Sequence, residues 1–134
     1  MPNHIHLQIE TIDHSISQIM HYILSQYSKY FNVKYDFVGH VFQGRFQAEI
    51  IKDDIYMLEA SRYIHLNPVK AKMVKNPIDF PWSSYSAYMG KKNCNLTQKQ
   101  RILECLSKNT DNTRDLEKLI QSYQKYVERW CQAP

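Results

Sequence analysis

Asn3-His4-Ile5-His6-Leu7-Gln8-Ile9 alternates polar and apolar residues with period two. Successive side chains of an extended chain point to opposite faces. The spacing therefore predicts a half-buried strand, with Ile5, Leu7 and Ile9 toward a core and His4, His6 and Gln8 on the other face. The alternation returns in Phe46, Ala48 and Ile50, separated by Gln47 and Glu49, and predicts a second strand. Between the two, Ser15 and Gln18 form a capping signal. Ile16, Ile19, Met20, Ile23, Leu24 and Tyr27 follow at helical spacing, which predicts an amphipathic helix to about Phe31.

Further along, Asp53 and Asp54 are placed to cap a helix through Met57, Leu58 and Tyr63. It should end near Asn67, because proline at 68 disfavours the α conformation of the residue before it. Pro77 and Pro81 punctuate a turn-rich stretch that closes on Trp82-Ser83-Ser84-Tyr85. After Gly90 the pattern becomes wholly helical. Thr97 and Gln100 open a helix through Ile102, Leu103 and Leu106, and Leu116, Leu119, Ile120, Tyr123, Val127 and Trp130 stripe a last one. The expected architecture is an α+β core over residues 1–90 and a helical C-terminal extension over residues 91–134.

With 134 residues, 43% of them hydrophobic and 22% charged, the chain has the balance of one globular domain rather than a disordered segment. A net charge of +4 tolerates a polyanionic partner without demanding one. Cys94, Cys105 and Cys131 make no CxxC pair and are odd in number, which argues against a disulfide framework or a structural zinc site. No apolar run reaches membrane-spanning length and no charged-then-apolar leader opens the chain, so the expected setting is the cytoplasm.

Three constellations carry chemistry. On a strand, His4 and His6 share a face about 6.6 Å apart, close enough for two imidazoles to converge on one metal ion. Tyr63 and Asn67 sit four residues apart on one helical face, pairing a possible phenolic nucleophile with an amide oxygen that suits a hard cation. From Arg62 to Lys75 the chain holds Arg62, Lys70, Lys72 and Lys75 and no acid. With Arg45 these read either as phosphate contacts or as a solvated face. Tyr35, Phe37, Phe42, Trp82 and Tyr85 could stack on unpaired bases or pack in a core.

The order of four segments resembles the REP-associated tyrosine transposases, within the single-tyrosine HUH transposases of bacterial insertion sequences. The segments are Met1-Pro2-Asn3-His4-Ile5-His6-Leu7, Gly39-His40-Val41-Phe42-Gln43-Gly44-Arg45-Phe46, Arg62-Tyr63-Ile64-His65-Leu66-Asn67-Pro68-Val69-Lys70-Ala71 and Pro81-Trp82-Ser83-Ser84-Tyr85. The resemblance implies a ferredoxin-like antiparallel sheet with packed helices. The chain opens inside the first motif, so the family's first strand and helix are expected to be lacking, and the exposed edge could pair in a homodimer.

The resemblance further implies Tyr63 as catalytic residue and His4, His6 and Asn67 as ligands of Mg²⁺ or Mn²⁺. Arg45, Arg62, Lys70 and Lys72 would contact DNA. The implied reaction cleaves and rejoins single-stranded or hairpin DNA through a 5′-phosphotyrosine link, in a nucleoid-associated protein without membrane contact. Two alternatives stay open: a DNA-hairpin-binding remnant without chemistry, and a histidine-triad-like nucleotide hydrolase acting through His6.

Overall fold

In a computed structural model, residues 3–108 and 115–129 are described; Met1, Pro2, Trp130 and Cys131 fall outside them. Five α-helices are present there: α1 (Ile16–Tyr35), α2 (Asp54–Lys70), α3 (Tyr85–Tyr88), α4 (Lys99–Lys108) and α5 (Leu116–Glu128). A single 3₁₀ turn, Pro77–Asp79, lies between α2 and α3.

The described residues contain no strand, which overturns the expected α+β, ferredoxin-like sheet. Residues 3–9 and 46–50 are not laddered to any neighbour. Alternation specifies which side chains share a face. A strand also needs a partner for its N–H and C=O groups, and period two does not encode where that partner is. The expected facing is reversed over residues 5–8, although His4 is exposed and Ile9 half-buried as expected. Ile5 and Leu7 are 62% and 52% exposed, while His6 and Gln8 are half-buried.

The chain divides into two compact units. Among the described residues the first comprises 3–8, 51–108 and 115–129, and α2, α4 and α5 pack together in it. Leu58 and Leu66 of α2 meet Ile102, Leu103, Cys105 and Leu106 of α4 and Leu119, Tyr123 and Val127 of α5, with Tyr85 and Tyr88 of α3 completing the core. Asp53 caps α2 by accepting the Tyr56 N–H at 2.7 Å, and Asp115 caps α5 from the Glu117 and Lys118 N–H groups. Gly90 ends α3 at φ +69°, a left-handed setting that glycine adopts without a Cβ penalty.

α2 runs past the expected stop at Asn67, with Pro68 inside its last turn. The missing proline N–H costs one bond near the C-terminus, where few remain to be made. Closure follows at once: Ala71 N–H reaches the Asn67 carbonyl at 2.9 Å, Met73 N–H reaches that of Pro68 at 2.9 Å, and Lys72 turns left-handed at φ 56°.

The second unit, residues 9–50, is built on α1. Its N-terminus carries the expected capping box, with Ser15 accepting the Gln18 N–H and Gln18 accepting that of Ser15. Its C-terminus continues to Tyr35, one turn beyond the expected end, and closes on Asp36 in the left-handed region. Rings of Tyr27, Phe31, Tyr35, Phe37 and Phe42 then pack on one another, and Met20 is the buried residue of α1.

Candidate functional site: a histidine pair facing a tyrosine and an asparagine

α2 presents two faces within the first unit. One, formed by Leu58, Ser61 and His65, is buried in the helical core. The other carries Tyr63, which is 49% exposed, and one turn on Asn67, which is buried. The extended segment 3–8 lies against this second face and belongs to the same unit. Gln8 fixes it there by donating from Nε2 to the Met57 carbonyl at 3.3 Å.

His6 is the centre of the arrangement. Its ring stands edge-on to Tyr63, with centroids 5.4 Å apart, and edge-on to His4 at 5.0 Å. Asn67 Nδ2 lies 3.0 Å from His6 Nε2 and donates to it. Burial, and then the neighbouring His4, lower the His6 pKa below the ordinary value, so the ring is a neutral acceptor near pH 7. His4 Nδ1 lies 2.7 Å from Asn3 Oδ1. Donation by Nδ1 in that contact leaves Nε2 as the lone-pair nitrogen, the tautomer a metal-binding histidine needs.

Four of the expected site residues (His4, His6, Tyr63 and Asn67) are therefore brought together. Lys70 joins them, its Nζ 5.8 Å from the centre of the Tyr63 ring. Lys72 is exposed, two residues past the end of α2. Arg62 is engaged elsewhere: it pairs with Glu59 and lies 4.8 Å over the Tyr126 ring, inside the scaffold. Arg45 is exposed and belongs to the second unit. Of the aromatics, Tyr85 is a core residue and Trp82 is exposed, while Tyr35, Phe37 and Phe42 belong to the ring cluster around α1.

Among the described residues no three His, Cys, Asp or Glu side chains gather into a metal site. The donors present are two imidazoles and an amide. Adjacent ligands on a small octahedral cation, each about 2.1 Å from it, sit about 3 Å apart. The 3.0 Å separation of His6 Nε2 from the Asn67 amide matches that spacing once the amide turns its oxygen inward. Two imidazoles and one amide oxygen make a mixed nitrogen and oxygen donor set, which could hold a divalent ion that keeps other ligands from water or phosphate.

Behind Tyr63 lies a network that spacing rules did not flag. His65 is buried among Tyr85, Tyr88 and Tyr123. Its Nδ1 is 2.8 Å from Tyr123 Oη and its Nε2 is 2.9 Å from Ser84 Oγ; Ser61 Oγ is 2.5 Å from the same Tyr123 oxygen. Burial pushes the His65 pKa down to about 4, so the imidazole is neutral. Burial also raises Tyr88 and Tyr123, and it lifts Tyr126, which donates to Glu59 at 2.9 Å, to about 12. The one available hint was that serine and histidine, at positions 61 and 65, fall on the apolar face of α2.

The family of IS200-like transposases matches residues 1–67, half of the 134-residue chain, and the chain belongs to that family. The matched stretch contains His4, His6, Tyr63 and Asn67. Its members bind DNA and carry out DNA transposition. No curated relative and no solved structure matched the chain. Among the described residues no helix is long and apolar enough to cross a membrane.

Proposed function

We propose that this chain cleaves and rejoins single-stranded DNA at hairpin or repeat sequences, as REP-associated members of the family would, with Tyr63 as nucleophile. The observation that carries this reading is the convergence of His6, Tyr63 and Asn67: rings 5.4 Å apart and an amide 3.0 Å from the imidazole. Tyr63 Oη attacks phosphorus, the bond to the 3′-oxygen breaks, and a 5′-phosphotyrosine forms. The phenol proton passes to water, and the departing 3′-oxygen takes one up. Rejoining is the same exchange reversed, so no nucleotide cofactor is consumed.

A phenol of pKa about 10 is protonated at neutral pH and needs a polarised phosphate to attack. His4, His6 and Asn67 would hold Mg²⁺ or Mn²⁺, which when bound supplies Lewis-acid polarisation of a phosphate oxygen. Tyr63 is half-exposed and so accessible to a strand, and the Lys70 ammonium near its ring would contact the DNA backbone. Lys72 and Arg45 are further candidates for phosphate contacts; Arg62, held by Glu59 and Tyr126, serves the scaffold.

Incubation with a labelled hairpin and Mn²⁺ followed by denaturing electrophoresis tests this. A covalent adduct should form, vanish in Tyr63→Phe, and fall in His6→Ala, while hairpin binding persists in Tyr63→Phe. An adduct undiminished by Tyr63→Phe defeats the assignment. Hairpin binding with no adduct in any form of the protein would instead support the binding-only reading.

A further inference from the structure

We propose that Tyr123, near the middle of α5 and outside the family-matched stretch, is a positioning residue for Tyr63. This rests on the reading of Tyr63 as nucleophile given above. Ser61 and His65 precede and follow Tyr63 by two residues, and two residues on a helix correspond to about 200° of rotation. Both therefore lie on the face of α2 opposite the nucleophile. The Tyr123 hydroxyl is within hydrogen-bond reach of both, at 2.5 Å and 2.8 Å.

With a neutral imidazole the bonds align in one sense. Ser61 Oγ–H donates to Tyr123 Oη, whose own proton goes to His65 Nδ1, and His65 Nε2–H donates to Ser84 Oγ; the reverse sense satisfies the same atoms. Every member is paired, and none touches the site directly.

Directionality separates this contact from the apolar packing around it. Leu58 and Leu66 are buried against α4 and α5 by packing that depends on shape but carries no directional bond. A hydroxyl bonded to two groups one turn apart is directional and distinguishes small rotations of α2. A rotation of about 10° shifts a side-chain tip about 6 Å from the helix axis by about 1 Å. Misplacement by about 1 Å can cost about a hundredfold in rate. Tyr123 thereby sets both the angle at which Tyr63 is presented and the register of Asn67 against His6.

The experiment compares Tyr123→Phe with Tyr126→Phe, which removes another α5 hydroxyl bonded to α2, here through Glu59. Both are assayed where circular dichroism shows them folded, with labelled hairpin DNA and Mn²⁺ under single turnover. Tyr123→Phe should slow adduct formation at saturating DNA by about tenfold or more, with the hairpin Kd within about twofold; Tyr126→Phe should move neither beyond about twofold. Ser61→Ala removes one arm of the contact, should give the same split, and decides the matter if Tyr123→Phe does not fold.

A DNA-free readout separates this proposal from the proposed chemistry. With 3-fluorotyrosine in the protein, the ¹⁹F resonance of Tyr63 should shift in Tyr123→Phe and not in Tyr126→Phe. An unchanged Tyr63 resonance, a rate within about twofold of the parent, or equal losses in the two variants would overturn the positioning role. An adduct that survives Tyr63→Phe would overturn the nucleophile assignment instead, and the fluorine shift would still report on Tyr123.

Discussion

α1 and α5 both carry apolar residues at helical spacing, more sharply segregated to one face in α5, and meet different fates. α1, in the second unit, has twenty residues and a single buried one, Met20; α5, in the first unit, has thirteen and buries Leu119, Tyr123 and Val127. α4 buries half of its ten residues. Periodic spacing entitles a helix to be buried, and a facing surface of matching shape makes it so. α1 relies more on local devices: its capping box, its left-handed C-cap and rings stacked along its own length.

The sharpest way to test this contrast is a matched pair of truncations. Leu103→Ala, at the centre of the first unit's core, should cost about 2–5 kcal/mol in urea unfolding, because the cavity cannot collapse fully. Val33→Ala on α1, 86% exposed, should stay within about 0.5 kcal/mol. Equal losses would erase the distinction between the regions.

Acid is the next probe. His65 has a folded pKa of about 4, below the unfolded value, so the unfolded chain takes up its proton first as pH falls. Its contribution is therefore constant above about pH 6.5, is lost progressively below that, and levels off below about pH 4, a total of about 3 kcal/mol. Urea unfolding followed through the amide exchange of α2 and α5 should show this loss, and His65→Gln should flatten it. A pH-independent stability between 7 and 4.5 would show that the imidazole is not buried as described.

Caps should give smaller and more even effects. Asp53→Ala at α2 and Ser15→Ala at α1 should each cost about 0.5–2 kcal/mol, measured by thermal unfolding. Because α1 has less burial to fall back on, Ser15→Ala should lower its helicity by circular dichroism more than Asp53→Ala lowers that of α2. Smallest of all, Val38→Ser, at a site 95% exposed, should leave stability within about 0.5 kcal/mol.

Much of the helical framework is readable without coordinates. Ser15 with Gln18 marks the start of α1, Asp53 that of α2, and the stripe Leu119, Tyr123, Val127 faces the core as spaced. Pro68 misleads by one turn, because a proline in the last turn of a helix removes little that the end has not already lost. The histidine segment misleads more. Its alternation is real, but His6 and Gln8 are drawn toward α2 by hydrogen bonds to Asn67 and Met57, and Ile5 and Leu7 are left outside.

What the residues determine unaided is local: capping, helical periodicity, and the presence of two imidazoles, a phenol and an amide at spacings that suit one site. Those properties depend on neighbours within a few positions along the chain. Tertiary structure alone decided that residues 3–9 and 46–50 form no sheet, that His6 meets Asn67 across sixty-one positions, and that Tyr123 reaches Ser61 and His65. Strand pairing and buried polar contacts each need a second group supplied from far along the chain. Such a partner leaves no mark in the local pattern that anticipates it.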